Sequence, residues 1–139
     1  MSNNIIVSVS VLSADFSCIR EVCSDIQKSG AEWVHFDVMD GLFVDNITFG
    51  TPILKSIATH SNLINDVHLM ISNPIKYIED FAKNGADYIT FHYESNSNPI
   101  DTINKIHECG KKAGISIKPN TPVADIENII GLVDMVLIM

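Results

Sequence analysis

The sequence predicts an α/β fold of the (βα)8 barrel kind, carried here as far as its sixth strand, and three observations lead there. Short apolar, strand-like runs alternate with helix-like patterns along all 139 residues, which implies a parallel sheet with right-handed crossovers. No glycine-rich phosphate fingerprint follows the first strand, as an open, doubly wound dinucleotide-binding sheet would show. Polar residues with chemical potential, Ser10, Asp37, His68 and His92, fall at the C-terminal ends of successive strands, where barrels build their sites.

The strand-like runs are residues 5–11, 33–38, 63–69, 87–92, 114–118 and 134–139. Between them, a first helix is expected over 16–28, with Phe16, Ile19, Cys23 and Ile26 on one face and Gly30 as its stop. Pro52 opens a second over 53–59, and Asn73-Pro74 starts a third that runs to Lys83 before Asn84-Gly85. A fourth spans 100–109, and a fifth follows Thr121-Pro122 with Val123, Ile126, Ile129 and Ile130 facing inward. The junction Ser29-Gly30-Ala31-Glu32-Trp33-Val34-His35-Phe36-Asp37 is echoed 55 residues on by Asn84-Gly85-Ala86-Asp87-Tyr88-Ile89-Thr90-Phe91-His92, which suits a regular βα array. A complete barrel takes roughly 200 residues or more, and an open one leaves two exposed edges that natural folds avoid. The 139 residues are therefore expected to be the N-terminal two-thirds of one barrel domain.

The bulk numbers exclude several function classes. A hydrophobic content of 46% is ample for the core of a single domain, 1–139. The net charge of -8, with no cluster of Lys or Arg, argues against nucleic acid, whose binding needs a basic patch. Cys18, Cys23 and Cys109 form no Cys-x-x-Cys pair, so neither a disulfide framework nor a zinc knuckle is indicated and a reducing cytoplasm is the expected compartment. The first basic residue is Arg20, so no signal peptide is expected. No apolar run reaches the roughly 18 residues of a membrane span, and a soluble protein without a membrane partner is expected.

The chemistry-bearing stretch is His35-Phe36-Asp37-Val38-Met39-Asp40-Gly41, with the shorter Asp66-Val67-His68-Leu69-Met70. Side chains alternate along a strand, so His35 and Asp37 point one way while Val34, Phe36 and Val38 point the other. A parallel neighbour carrying His68 completes a His/Asp/His set that suits a divalent cation such as zinc, iron, manganese or cobalt. From the residues alone, the alternative is that Asp37 caps a loop and both histidines are hydrogen-bonded core residues.

Ser10-Val11-Leu12-Ser13-Ala14-Asp15-Phe16, Asp37-Val38-Met39-Asp40-Gly41 with Phe43-Val44 and Asn46-Ile47-Thr48-Phe49-Gly50, Asp66-Val67-His68-Leu69-Met70, Gly85-Ala86-Asp87, Lys118-Pro119-Asn120-Thr121-Pro122 and Asp134-Met135-Val136-Leu137-Ile138-Met139 together resemble the ribulose-phosphate 3-epimerase family. The resemblance runs in order along the whole chain. It implies a ribulose-phosphate-binding barrel that interconverts D-ribulose 5-phosphate and D-xylulose 5-phosphate in the pentose phosphate pathway through a cis-enediolate. It implies that His35, Asp37 and His68 hold the metal, with Asp37 also a catalytic acid/base. Ser10 and His68 would contact the small ketose phosphate, and Met39, Met70 and Met139 would form an apolar wall that excludes water. Val9 stands where the family usually has proline, a departure expected to alter packing more than chemistry. The resemblance places a second aspartate on strand seven and barrels commonly grip phosphate after strands seven and eight, so the 139-residue chain by itself is expected to be inactive or nearly so.

Other residues receive weaker expectations. His92 is read as a hydrogen-bonded structural residue, Asp66 as a buried carboxylate needing a partner, either a hydrogen bond in the shell behind the metal ligands or Lys118, Asp40 as a loop cap, and His60 and His107 as solvated. The competing readings are an epimerase for a related ketose phosphate such as a hexulose 6-phosphate, a sugar-phosphate decarboxylase on the same barrel, and an inactive partial barrel that binds metal weakly or assembles with another copy as a homo-oligomer.

Overall fold

The computed structural model describes residues 5–139, and the reading of the first four residues as free of a signal lies outside them. Its strands are β1 (Ser8–Ser10), β2 (Trp33–Met39), β3 (Ile64–Met70), β4 (Tyr88–His92), β5 (Lys112–Ile117) and β6 (Met135–Ile138). All neighbours pair in parallel and in chain order, β1-β2-β3-β4-β5-β6. The helices are α1 (Ile19–Lys28), α2 (Thr51–His60), α3 (Ile78–Lys83) and α4 (Pro99–Glu108). β1 is shorter than expected, leaving Ile5 84% exposed ahead of it.

Period-two alternation divides the sheet into two unlike faces. Val34, Phe36 and Val38 of β2, Val67 and Leu69 of β3, Ile89 and Phe91 of β4, and Ala113, Ile115 and Ile117 of β5 are buried in one cluster. They meet Cys23 and Ile26 of α1, Leu54 and Ile57 of α2, Ile78 and Phe81 of α3, and Ile103 and Ile106 of α4. Each large aliphatic or aromatic side chain buried in this way contributes about 1.5–3 kcal/mol. The opposite face carries His35, Asp37, Asp66, His68, Thr90, His92 and Ser116. The sheet curls around that face, because Ser8, Trp33, His35 and Asp66 share a cavity of about 510 Å³ with Met135 and Leu137 of β6.

Helix ends follow local chemistry. Asp15 accepts from the Ser17 N–H at 2.9 Å and starts a 3-10 turn, Phe16–Cys18, that leads into α1. The third expected helix divides likewise into a 3-10 turn, Pro74–Lys76, and α3. Gly85, after α3, has φ +110°, and a Cβ there would lie 2.6 Å from that of Ala58, so only glycine lets the chain turn so close to α2.

The expected fifth helix is absent among the described residues. Its place is taken by two 3-10 turns, Val123–Ile126 and Ile130–Leu132. Ile126 and Ile129 are buried, but Val123 and Ile130 are 58% and 43% exposed. All four anchors are β-branched, Gly131 follows them, and Pro122 supplies no side-chain cap, so little favours an α-helix. The spacing of three between the two buried isoleucines matches the tighter 3-10 turn.

Candidate active site

The β2–β3 pairing aligns Asp37 with His68, and His35 lies two residues before Asp37 on the same face. The Asp37 Oδ1 atom lies 3.1 Å from His35 Nε2 and 3.2 Å from His68 Nδ1. Ligand atoms of the three residues all lie within 4.8 Å of one another. The other carboxylate oxygen, Oδ2, accepts from Ser10 Oγ at 2.8 Å. Asp37 is thus split by geometry, with Oδ1 facing two imidazoles and Oδ2 facing a hydroxyl at the strand end.

Protons decide what this cluster can hold. Asp66 Oδ2 lies 2.7 Å from His35 Nδ1, and a carboxylate only accepts, so Nδ1 carries the hydrogen. In a neutral ring, His35 Nε2 is then a lone pair facing the Asp37 oxygen, an arrangement that requires a proton or a cation. Burial opposes charge on His35, but its hydrogen bonds and attraction to Asp37 and Asp66 outweigh burial and push the ring up to about 9. Burial likewise opposes the Asp37 charge, yet its polar contacts with His35, His68 and Ser10 hold it well below the usual carboxylate range. A tetrahedral zinc, with ligands at about 2.0–2.2 Å, keeps them roughly 3.4 Å apart. The imidazole-to-carboxylate separations here are close to that, so the donor set fits a divalent cation in place of the proton.

Several neighbours confirm or correct the reading of the sequence. Asp66 is buried, and its partner is His35, with Ser8 Oγ at 3.4 Å, not Lys118. The Lys118 ammonium instead stands 3.9 Å over the Phe43 ring, and Phe43 packs 4.9 Å from the His92 ring. Asp40 caps its loop, accepting from the Leu42 and Phe43 N–H groups at 2.9 and 2.8 Å, and ties the next loop down through the Ser72 N–H at 2.7 Å. His60 and His107 are exposed, as expected. Met39 and Met70 are paired in register at the ends of β2 and β3 and are partly and fully buried. Met139 lies past the end of β6 and is 58% exposed.

His92 is buried and hydrogen-bonded, as expected. It faces the cluster, with its Nε2 2.9 Å from His68 Nε2 and its Nδ1 3.3 Å from Glu94 Oε2. Burial, then the proximity of His68, push His92 down to about 4 in spite of Glu94. Glu94 was not singled out from the sequence. The signal was there in the spacing of His92 and Glu94 beside a strand end, but their partners lie 24 residues or more away.

Among the described residues, no helix is long and apolar enough to cross a membrane. Solved structures of the same shape include a mutant tryptophan synthase alpha-subunit from Pyrococcus furiosus, with a TM-score of 0.70 at 14% identity over 94% of this chain and 63% of that one. Yersinia pestis DHPS follows at 0.63 and 12%, over 91% of this chain and 50% of that one. Both are TIM-barrel proteins, and at such identities the likeness shows the fold alone. The sequence comparisons are narrower. The chain is 48% identical to a ribulose-phosphate 3-epimerase from Synechocystis over its full length and 61% of that protein, and 45% identical to the Treponema pallidum enzyme of that name over its full length and 64%. It therefore spans less than two thirds of the length of these curated relatives. With the family model described as "Ribulose-phosphate 3 epimerase family" matching residues 6–139, the chain that builds this strand-end cluster belongs to the ribulose-phosphate 3-epimerase family.

Proposed function

We propose that the protein interconverts D-ribulose 5-phosphate and D-xylulose 5-phosphate, as a cytoplasmic enzyme of the pentose phosphate pathway. The observation that carries this reading is the convergence of His35 Nε2, Asp37 Oδ1 and His68 Nδ1 at strand ends in a chain of this family. Relatives named ribulose-phosphate 3-epimerase supply the substrate class. Zinc, iron, manganese or cobalt held by the three residues would supply Lewis acidity toward the oxygens of the cis-enediolate.

The chain's own residues do the rest. Inversion at C3 needs a base on one face of the substrate and an acid on the other. Asp37 is kept ionised, and its Oδ2, oriented by Ser10, takes the C3 proton. His68 would share the cation with Asp37, beside the space the substrate occupies. Met39 and Met70 shield the enediolate from water. The acid for the opposite face is the strand-seven aspartate that the family resemblance assigns beyond these six strands.

Deuterium wash-in at C3 of ribulose 5-phosphate in D2O, followed by NMR in the full-length enzyme, tests the assignment. Asp37→Asn keeps the shape of the side chain but cannot accept the proton, so exchange should fall by at least about 100-fold with an unchanged circular dichroism spectrum. Exchange at the wild-type rate would remove Asp37 from the reaction.

A further inference from the structure

We propose that His92 and Glu94 are positioning residues: a hydrogen-bonded chain from Glu94 through His92 fixes His68 in the tautomer that turns its Nδ1 lone pair toward Asp37 and the cation. The inference rests on the metal reading above and assigns a role to two residues outside the three ligands.

His68 and His92 are 1% and 2% exposed, so protein groups must satisfy their ring nitrogens. The two Nε2 atoms are 2.9 Å apart, and the rings lie 28° from parallel. Only one hydrogen fits between those atoms, so one ring donates and the other accepts. Glu94 decides which. Its Oε2 faces His92 Nδ1 and can only accept, so a neutral His92 carries its hydrogen on Nδ1 and presents a lone pair at Nε2. His68 must then donate from Nε2, which leaves its Nδ1 bare and facing Asp37 Oδ1. With the opposite tautomer, the His68 Nδ1–H would close the position to a metal.

Glu94 can set this direction because it is itself held. Its Oε1 accepts from the Lys118 N–H at 2.6 Å and from the Thr121 hydroxyl, both in the loop after β5. The result parallels the His35 side of the cluster, where Asp66 fixes the tautomer directly. Both ligand histidines are thus oriented by a carboxylate, one in contact and one through an intervening ring. Such outer partners are typically worth 10–100-fold in metal affinity.

Long-range proton–nitrogen NMR of the zinc-loaded full-length protein reads the tautomers without reference to turnover. The expected result is His68 protonated at Nε2 and His92 at Nδ1; a hydrogen on His68 Nδ1 in the zinc-bound protein overturns the inference. In zinc titrations, His92→Leu should raise Kd by about 10-fold or more, while His92→Gln, whose amide oxygen can accept from His68, should stay within about threefold of wild type. Glu94→Gln should shift the His92 tautomer and weaken zinc binding in step. Equal Kd values across the three variants overturn the inference and leave the metal reading standing. Failure of the wild-type protein to bind zinc removes both. Should His92→Leu not fold, the tautomers of the wild-type protein decide the matter alone.

Discussion

Gly114→Ala tests how the layer beneath the site is packed. Gly114 of β5 pairs in register with Thr90 of β4, which pairs with His68 of β3. A Cβ on Gly114 would lie 2.1 Å from Thr90 Oγ1, 3.0 Å from Thr90 Cβ and 3.2 Å from Thr90 Cα, where ordinary contact begins at 3.4 Å. Rotating the Thr90 side chain relieves the first contact but not the backbone one, so β4 and β5 must spread by a few tenths of an ångström. Overpacking of this kind costs about 1–3 kcal/mol. Urea denaturation should show the loss both by circular dichroism and by fluorescence of Trp33, the one tryptophan, whose ring lies 4.5 Å from that of Tyr88. Thr90 Oγ1 is buried without a hydrogen-bond partner, but Thr90→Ala keeps the Cβ and Cα that the new methyl group meets at 3.0 and 3.2 Å, so the double variant should retain most of the loss. A Gly114→Ala cost below about 0.5 kcal/mol, or full recovery in the double variant, would refute the close approach of these strand backbones.

Two further outcomes follow from the hydrogen bonds. Ser10→Ala removes a donor to Asp37 Oδ2 at an exposed position where water can substitute, so kcat should fall only about fivefold; because the lost bond favoured the carboxylate, the acid limb of the pH–rate profile should move to higher pH, and an unmoved limb would count against the contact. Asp134 is held down to about 2, first by Lys112, against a burial penalty, then by His107 and the Ala113 N–H. A lowered carboxylate stabilises the fold above its unfolded value of 3.8 and loses that contribution as pH falls toward about 2. Asp134→Asn should therefore cost about 1 kcal/mol at neutral pH, a gap to wild type that closes through this acid window in pH-dependent denaturation curves.

Much of this was legible in the sequence because strand periodicity is short-ranged. Two positions suffice to put His35 and Asp37 on one face, and the alternation of runs was enough to order six strands. The contact of His68 with His92 was less accessible, since it depends on the β3–β4 register and on ring orientation. The partner of Asp66 went to His35 and not to Lys118 because Lys118 lies over Phe43. The segment after Thr121-Pro122 failed as a helix for a similar reason. Its apolar spacing fits both 3.6 and 3.0 residues per turn over so short a span, and the β-branched side chains tip the choice.

The two faces of the sheet have a consequence for how errors in folding would be felt. Phe36 and Val38 alternate with His35 and Asp37 along one strand, as Val67 and Leu69 alternate with Asp66 and His68 along the next. A slip of one residue would drive carboxylates and imidazoles under the helices and turn the aliphatic side chains into the cavity. No slip of one residue could keep the donor cluster while sacrificing the apolar layer, or the reverse. Selection for chemistry and selection against misfolding therefore act on the same alignment, and the cluster serves as its own proofreader.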